Sequence, residues 1–336
     1  MEKVLVTGAS GHLGGAVARK LLARGVSVRA LVRPSSSLAG LKDASGNLLP
    51  GLEPALGDVL DRETFGAAMR GCATVFHLAA VFKTRQVDEA LMERTALEGT
   101  RNLMELAAGQ EPRPRIVYTS SVAAMGCSRR SDQVLDEAAW NQAPIDAYVA
   151  SKAGSERLAW DLAAGSGLWM VAVNPGTVLG AGDYTPTPSN AFILLAMKKG
   201  TPVYFDGGHS YTDVEDVAEG HLLAWEKGRP GQRYILAGEN VSMRDTLERI
   251  ARLTGGRRPL FKIGHAFVSV AGLGFEALSG VTGKPPLFTR AKAHQLIDYY
   301  GYFSSDKARR ELGYRFRGFD EILGRARDWY RERGWL

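Results

Sequence analysis

Tyr148 and Lys152 stand four positions apart in the segment YVASK, a spacing that suits proton chemistry. On a helix, residues four apart share one face, about one turn from each other. An ammonium beside a phenol stabilises the phenolate, so we expect Lys152 to lower the pKa of Tyr148 toward neutral pH. The same ammonium could hydrogen-bond to a ribose hydroxyl. The pair is therefore a candidate for acid/base chemistry.

Two serines precede this pair in the segment YTSSVAAMG. Ser120 and Ser121 come at the predicted carboxyl end of an apolar strand, where ligands bind in open α/β sheets. A hydroxyl there would point into the crevice. YxxxK alone occurs by chance in many helices, whereas a glycine turn, a strand-end serine and then YxxxK, in this order along the chain, form a specific pattern.

A glycine-rich turn lies near the N-terminus. TGASGHLGG places Gly8, Gly11 and Gly14 at GxxGxxG spacing, after a predicted strand and at the start of a predicted helix. Glycines let the backbone approach a pyrophosphate, and the helix N-terminus offers free N–H groups and a favourable dipole. Ser10 and His12 lie in the same turn and could donate to phosphate. The turn predicts a dinucleotide site.

The end of the second predicted strand, VRALVRPSS, should select the dinucleotide. It has no acidic residue to bind a ribose diol. It has Arg33 instead, followed by Ser35 and Ser36. A guanidinium with hydroxyls suits a 2′-phosphate, so NADP(H) is favoured and NAD(H) is the alternative.

Strands and helices alternate through the first half of the chain. This order predicts an α/β fold of Rossmann type, a doubly wound parallel sheet covered on both faces. The predicted strands are KVLVTGAS, VSVRALVR, ATVFHLAA, PRIVYTSSV, LWMVAVNPG and QRYILAG. The predicted helices are GGAVARKLLARG, ETFGAAMRGC, EALMERTALEGTRNLMELAAGQ, DAYVASKAGSERLAWDLAAGSG and YTDVEDVAEGHLLAWEKG, the last with Asp213 as its N-cap.

The segment NPGTVLGAGDYTPTP, from Asn174 to Pro188, interrupts this alternation. Its composition predicts neither strand nor helix but a loop between cofactor and substrate. We expect residues 1–176 and about 212–238 to form the dinucleotide-binding domain. Residues 177–211 and 239–336 would then form a smaller, mostly helical substrate-binding domain.

The composition of the chain argues against two classes of partner, nucleic acids and membranes. The 336 residues carry a net charge of +6, with 45% hydrophobic and 23% charged residues, as in an ordinary soluble protein. The basic residues are interleaved with acids, so we expect no nucleic-acid partner. The apolar stretch Ala266–Val281 is short and contains Glu276 and glycines, so we expect no membrane insertion.

Cys72 and Cys127 and the six histidines show no metal-ligand spacing, which predicts that there is no metal site. The N-terminal segment MEKVLVTGAS does not have the pattern of a secretory signal. Two unpatterned thiols fit a reducing compartment, and we expect a cytoplasmic protein.

These motifs together resemble the extended short-chain dehydrogenases/reductases of the NAD-dependent epimerase/dehydratase superfamily. The matching segments are TGASGHLG, GDVLD, HLAA, TSS, YVASK and VNPGTVLG, and the likeness continues in YTDVEDVAEGHLLA and SSDKARRELGY. VRALVRPSS and the long NPGTVLGAGDYTPTP most resemble the dihydroflavonol-reductase-like branch, which includes proteins known as hopanoid-associated sugar epimerases.

The resemblance implies roles for individual residues. Tyr148 would be the acid/base and Lys152 its activator, and Ser121 would be the catalytic serine because Gly126 follows it by five positions. Members are often dimers through two long helices, so we expect a homodimer through the helices containing Glu98–Ala108 and Lys152–Ala164. The implied cofactor-binding residues are Gly8, Ser10, Gly11, His12, Leu13, Gly14, Arg33, Asp58, Val59, Ala79, Ala80, Thr119, Tyr148, Lys152, Asn174, Pro175, Gly176 and Thr177.

The resemblance also bears on the reaction. Sugar dehydratases of the superfamily carry an Asp–Glu pair after the serine, where this chain has Ala123 and Ala124. Nucleotide-sugar epimerases usually place a diphosphate-binding Arg where this chain has His209, a poor replacement for a bidentate guanidinium, although Arg290 could serve instead. The expected pocket aromatics are Phe82, Tyr184, Phe192, Tyr204 and Phe205.

Three functions follow from these observations. The first is an NADP(H)-dependent oxidoreductase that interconverts a ketone or aldehyde and an alcohol, with a small-molecule substrate. The second is an NAD(P)-dependent nucleotide-sugar epimerase with a transient keto intermediate. The third is a non-catalytic cofactor-binding Rossmann protein.

Overall fold

A seven-stranded parallel sheet dominates the computed structural model, which describes residues 2–80, 89–267, 269 and 297–336. Its strand order is β10-β6-β5-β4-β1-β2-β3. The strands are β1 (Lys3–Thr7), β2 (Ser27–Val32), β3 (Leu52–Leu56), β4 (Thr74–His77), β5 (Arg115–Thr119), β6 (Met170–Pro175) and β10 (Arg233–Leu236). The order reverses between β1 and β4, which opens a ligand crevice at the carboxyl ends of those strands. The predicted Rossmann-type fold is confirmed.

Helices cover both faces of this sheet. They are α1 (His12–Ala23), α2 (Arg62–Met69), α3 (Glu89–Ala108), α4 (Ala147–Ser166) and α6 (Val214–Lys227). Val4 and Val6 pack into the apolar core beneath α1 and α6, while Leu5 packs into the core beneath α2, α3 and α4. The alternation of β1 side chains between two cores is the expected pattern of a strand buried on both faces.

Helix α4 has the ends that its sequence predicts. Asp146 Oδ1 accepts a hydrogen bond from the Val149 N–H at 2.8 Å and caps the start of the helix. Gly167 ends it with a positive φ of 63°, which glycine adopts without steric cost. The predicted N-cap of α6 is confirmed as well, since Asp213 accepts from the Glu215 N–H at 2.8 Å.

Strand β3 was missed by the sequence prediction. It holds the edge position of the large sheet beside β2 and contains Pro54. Proline removes a backbone donor and is tolerated at such an edge, but its presence argues against a strand when only the sequence is read. The sheet therefore has seven strands rather than the predicted six.

The loop prediction for Asn174–Pro188 was wrong in part. Asn174 and Pro175 belong to β6, and after Gly176 the chain forms β7 (Thr177–Leu179). β7 pairs with Tyr211–Asp213, a partner too distant in sequence for the local composition to reveal. The next helix, α5 (Pro188–Lys199), begins at the last residue of the segment.

The remaining part of the chain adds a second sheet to the predicted helices. β9 (Gly207–Asp213) is its central strand and pairs with β7, β11 (Glu239–Ser242) and β13 (Tyr299–Gly301). The other elements are β8 (Val203–Tyr204), β12 (Phe261–Lys262), α7 (Met243–Thr254), α8 (Asp306–Leu312) and α9 (Phe319–Glu332).

Parts of three predictions lie outside the described residues. They concern Phe82, Arg290 and most of the stretch Ala266–Val281. Within the ranges that the structure does describe, no helix is both long enough and apolar enough to span a bilayer.

Candidate active site

The turn between β1 and α1 leaves no room for a side chain at Gly8 or Gly14. A Cβ on Gly14 would lie 2.1 Å from the carbonyl oxygen of Gly8, and one on Gly8 would lie 2.8 Å from the Leu78 backbone. The Gly11 N–H donates to the Gly8 carbonyl at 2.9 Å and closes the turn. Because Ser10 and Gly11 are exposed, the N-terminus of α1 is open to an anion.

Thr7 joins this turn to the end of β4. Its hydroxyl accepts hydrogen bonds from the backbone N–H groups of Leu78 at 3.1 Å and Ala79 at 3.0 Å. The same hydroxyl is hydrogen-bonded to Nδ1 of His77 at 3.1 Å. Burial lowers the pKa of His77 to about 3 and keeps the imidazole neutral. The predicted cofactor residues Ala79 and Ala80 are thereby held beside the glycine turn.

His12 and Leu13 occupy the first turn of α1, but their side chains face the protein. Nε2 of His12 donates to the carbonyl oxygen of Ala181 at 3.0 Å, and burial lowers the pKa of this imidazole. Leu13 packs against the core beneath α1. The His12 side chain is thus bonded to backbone rather than free to contact a phosphate.

Arg33 is exposed immediately after β2. Its N–H donates to Ser36 Oγ at 3.2 Å, which forms a short turn at the end of the strand. The other arginine of this strand, Arg29, is engaged elsewhere, since its Nε lies 2.9 Å from a carboxylate oxygen of Glu53. Of the two arginines, Arg33 is therefore the one placed to meet a ligand.

Asp58 and Val59 follow β3 in a tight turn. Asp58 Oδ1 accepts from the Leu60 N–H at 3.0 Å, and Asn102 Nδ2 donates to the Val59 carbonyl at 2.9 Å. These bonds fix the backbone at the carboxyl end of β3, one strand beyond Arg33.

The three predicted catalytic side chains come together. Ser121 follows β5 directly; its Oγ accepts from the Ala123 N–H at 3.1 Å and is hydrogen-bonded to the Tyr148 phenol. Lys152 lies one turn further along α4. Tyr148 and Lys152 line a cavity, here called the Tyr148 cleft, whose other walls are His77, Ala79, Ala80, Met92, Ala96, Thr100, Tyr118, Thr119, Ser151 and Ser155.

The expected lowering of the Tyr148 pKa is wrong for the protein without ligands. Burial raises the pKa of Tyr148 to about 12, with Ser121 acting in the opposite direction and Asp146 adding to the rise. The phenolate loses its hydration in the cleft, and this loss outweighs the hydrogen bond from Ser121. Tyr148 is therefore a phenol at neutral pH.

The pKa of Lys152 is shifted in the opposite direction to that of Tyr148. Burial lowers its pKa to about 8, while the Glu156 carboxylate opposes that change. Within the part of the chain that the structure describes, no group accepts a hydrogen bond from the ammonium. A partly buried ammonium without an acceptor among these residues fits the ribose hydroxyls of a nicotinamide nucleotide, so the site suits that cofactor.

The other predicted cofactor residues lie at the carboxyl ends of β5 and β6. The Thr119 hydroxyl donates to Nε2 of His221 at 3.0 Å, and Asn174 Nδ2 donates to the Ser121 carbonyl at 3.1 Å. Pro175 is buried and Thr177 begins β7. A Cβ on Gly176, between them, would lie 2.7 Å from the carbonyl oxygen of Ser210.

Tyr299 and Cys127 were missed by the sequence prediction. Their side chains are hydrogen-bonded to each other, and Tyr299 is close enough to Tyr148 for the two to interact electrostatically. Tyr299 reaches this place through β13, which pairs with β9 at Gly207. The sequence around Tyr299 could not reveal this position, because the residue reaches the site through pairing with a strand that is distant in the sequence.

His209 lies beside Tyr299 with its ring centroid 6.3 Å from the tyrosine ring. Burial lowers the pKa of His209 to about 4, so the imidazole is neutral at physiological pH. Other predicted pocket aromatics pack elsewhere: Tyr184 contacts Trp329 at 5.2 Å between ring centroids, and Phe192 is exposed. Neither lines the Tyr148 cleft, and Tyr204 and Phe205 do not line it either.

Comparison with known proteins identifies the family and the fold. A model of the NAD dependent epimerase/dehydratase family matches residues 4–237, the span that holds the glycine turn, Ser121, Tyr148 and Lys152. The chain belongs to this family. The similar proteins include ones named as reductases and epimerases, and the protein is an NAD(P)-dependent enzyme of the short-chain dehydrogenase/reductase type.

Three relatives of the family align over nearly the whole chain. A Synechocystis sp. protein provisionally named dihydroflavonol 4-reductase is 34% identical, covering 98% of this chain and 95% of its own. Sterol demethylase protein B of Methylococcus capsulatus is 32% identical over 99% of both. The 4-hydroxy-2-methyl-3-oxo-4-farnesyl-3,4-dihydroquinoline-1-oxide ketoreductase of Stigmatella aurantiaca is 33% identical, covering 93% and 91%.

Similar solved structures extend the likeness to the fold. The crystal structure of gox2253 is 36% identical with a TM-score of 0.85, and each chain is fully covered. PA4631, a nucleoside-diphosphate-sugar epimerase from Pseudomonas aeruginosa, is 28% identical with a TM-score of 0.78, and the match covers 100% of this chain and 99% of that one.

Proposed function

We propose that the protein is an NADP(H)-dependent reductase that converts a ketone of an apolar, ring-containing compound into an alcohol, with Tyr148 as the acid/base. The observation that carries the proposal is the contact of Ser121 with Tyr148, one helix turn from Lys152, beside the Ala79–Ala80 backbone. Such a trio suits protonation of a carbonyl oxygen.

The residues of the chain would divide the work as follows. Ser121 and Tyr148 hydrogen-bond to the carbonyl oxygen of the substrate, which orients it and polarises the C=O bond. NADPH, when bound, supplies a hydride to the carbonyl carbon. Tyr148 gives its proton to the oxygen, and the charged Lys152 stabilises the tyrosinate that remains. In the direction of alcohol oxidation, Tyr148 takes the proton.

The cofactor would lie along the carboxyl edge of the large sheet. The glycine turn Gly8–Gly14 would hold the pyrophosphate, and Arg33 the 2′-phosphate. Asp58 and Val59 would flank the adenine, and Asn174–Thr177 would border the nicotinamide. The exposed side chain of Arg33 supports NADP(H) over NAD(H), whereas Arg29 is engaged by Glu53.

The substrate class is proposed from the walls of the site and from the relatives. Tyr299 and His209 are uncharged at neutral pH, and His209 stands where nucleotide-sugar epimerases of the family usually have a diphosphate-binding Arg. The three full-length relatives are named for a dihydroflavonol, a sterol and a farnesyl dihydroquinoline oxide, all with apolar ring systems.

A substrate panel tests this function. Loss of NADPH absorbance should follow addition of a dihydroflavonol, a ketosteroid or a prenylated quinolone ketone. Interconversion of UDP-sugars without net change in cofactor would instead establish the epimerase. Binding of NADPH without turnover of any compound would leave a cofactor-binding protein.

A tyrosine variant tests the assigned acid. Tyr148→Phe should lower kcat by about 10²-fold or more while NADPH affinity, measured by fluorescence titration, stays within a few-fold of wild type. The matched control is Tyr234→Phe, because Tyr234 is also buried but its hydroxyl donates to Glu311 of α8. A fully active Tyr148→Phe enzyme would refute the mechanism.

We also propose a cytoplasmic homodimer with the predicted division into two domains. Cys72 and Cys127 are free thiols, which suits a reducing compartment. The exposed sides of α3 and α4 would form the dimer contact, and light scattering should then give twice the 36.3 kDa mass of the chain.

A further inference from the structure

Glu156 is a fully buried residue of α4. It lies on the same face of the helix as Tyr148 and Lys152, because the three residues follow one another at intervals of four. Its carboxylate pairs with Arg233 of β10. Nε of Arg233 lies 2.6 Å from Oε1, and Nη2 donates to Oε2 at 3.2 Å. Both side chains are at least nine-tenths buried.

The same carboxylate accepts hydrogen bonds from residues at the carboxyl ends of β5 and β6. Oε2 accepts from Ser120 Oγ at 2.5 Å and from Asn174 Nδ2 at 2.8 Å. Ser120 precedes Ser121 in the chain, and Asn174 Nδ2 also donates to the Ser121 carbonyl at 3.1 Å. Through these hydrogen bonds, Glu156 connects α4 to the backbone around Ser121.

Arg233 connects this network to the segment before α4. Its Nη1 donates to the carbonyl oxygens of Glu137 at 3.1 Å and Ala139 at 3.0 Å. The guanidinium also lies 3.8 Å from the ring centroid of Trp140. With these bonds, the pair joins β5, β6, β10, α4 and the chain leading into α4.

The charges around Lys152 give Glu156 a second effect. His77 of β4 and Tyr118 of β5 line the cleft as neutral groups, and Tyr148 is a phenol. The α3 residues that line the cleft, Met92, Ala96 and Thr100, carry no charge. Among the described residues, Glu156 is the carboxylate that opposes the effect of burial on Lys152.

We propose that the buried Glu156–Arg233 pair is a positioning device for the active site, which fixes Ser121 against α4 and supplies a compensating negative charge one turn from the Lys152 ammonium. Stability alone does not explain the pair, because a buried ion pair is often no more stabilising than apolar residues of similar volume. The inference rests on the proposed function, since it assigns a task to Lys152.

The ionisation of Lys152 can be measured without turnover. Competitive acetylation with limiting acetic anhydride, quantified by mass spectrometry across a pH series, reports the fraction of each lysine that is neutral. Glu156→Gln removes the nearby negative charge, so the labelling midpoint of Lys152 should fall by about half a pH unit to one unit. The kcat for reduction should fall about tenfold or more, since Ser121 is no longer held in place.

Two further variants complete the test. Glu156→Gln/Arg233→Met removes both charges, so it avoids an unpaired buried cation if the single variant does not fold; its Lys152 midpoint should also lie below that of wild type. Glu311→Gln, which breaks the pair with Arg229 (2.8 Å), is the control and should leave the midpoint unchanged.

The outcomes separate the inference from the proposed function. An unmoved Lys152 midpoint in the folded Glu156 variants, or a kcat equal to that of an active wild-type enzyme, overturns the inference. If wild type reduces none of the ketones, the proposed function fails, while a lowered midpoint still supports the electrostatic link between Glu156 and Lys152.

Discussion

Tyr148 and Lys152 are tuned in opposite directions by the same burial. The pKa of the phenol rises to about 12 and that of the ammonium falls to about 8. At neutral pH the phenol therefore keeps its proton while the lysine is mostly charged. This is the protonation state that ketone reduction requires, because Tyr148 must give a proton and Lys152 must stabilise the resulting anion.

The rate of reduction should consequently fall at alkaline pH. Below about pH 8 Lys152 is charged; above it the lysine loses its proton and no longer stabilises the tyrosinate. We expect kcat/KM for ketone reduction to decline as the pH rises through this value. Steady-state rates across a pH series, with stability checked at each pH, measure the effect. A flat profile well beyond this range would contradict the assignment.

The turn between β1 and α1 shows how strongly one element depends on glycine. Gly14→Ala places a methyl group against the Gly8 carbonyl, so we expect the free energy of unfolding to fall by about 3 kcal/mol and NADPH binding to be lost. Urea denaturation and fluorescence titration measure the two effects. Gly165→Ala, in the last turn of α4 where the added Cβ meets open space, should be neutral or stabilising.

The turn after β2 should set cofactor preference. Arg33→Ala removes an exposed guanidinium, and we expect NADPH affinity to fall about 10- to 100-fold with little change for NADH. Arg29→Ala is the matched control, because Arg29 is held by Glu53 and should not alter the ratio of the two affinities. Equal weakening of both cofactors by Arg33→Ala would argue against a 2′-phosphate site.

Sequence reasoning worked best where the signals were local. The ends of α4 follow from Asp146 and Gly167, and the spacing of Tyr148 and Lys152 follows from helical geometry. The sequence did not predict β3, because Pro54 argues against a strand. Proline is tolerated in this strand because β3 lies at the edge of the sheet, and that position cannot be read from the local sequence.

Contacts between residues that are far apart in the sequence could not be predicted from local sequence signals. Arg233 is 77 residues from Glu156, and Tyr299 joins the site through pairing with β9. The raised pKa of Tyr148 was also missed, because helical spacing reveals its charged neighbour but not the extent of its burial.

At the scale of the whole molecule, buried neutral histidines make stability depend on pH. Burial lowers the pKa of His77 to about 3 and those of His209 and His221 to about 4. Unfolded histidines bind protons below about pH 6.5, whereas these folded ones do not until lower pH, so acid favours the unfolded state.

We therefore expect the free energy of unfolding to fall as the pH drops from about 6.5 to about 4. Urea denaturation at a series of pH values measures it. His221→Gln should reduce the slope, because it removes one of the groups that takes up a proton on unfolding. Equal slopes in the two proteins would show that His221 does not contribute.

A single residue, Gly176, separates the last residue of β6 from the first of β7, so the chain passes from the large sheet to the second sheet in one step. Its backbone lies too close to the Ser210 carbonyl for a side chain. On the proposed function, this one-residue connection joins the nicotinamide end of the site to the second sheet. We therefore expect substitutions in β7 and β9 that change substrate preference to change hydride transfer as well, so directed evolution of substrate preference should find its adaptive changes in the loops rather than in these strands.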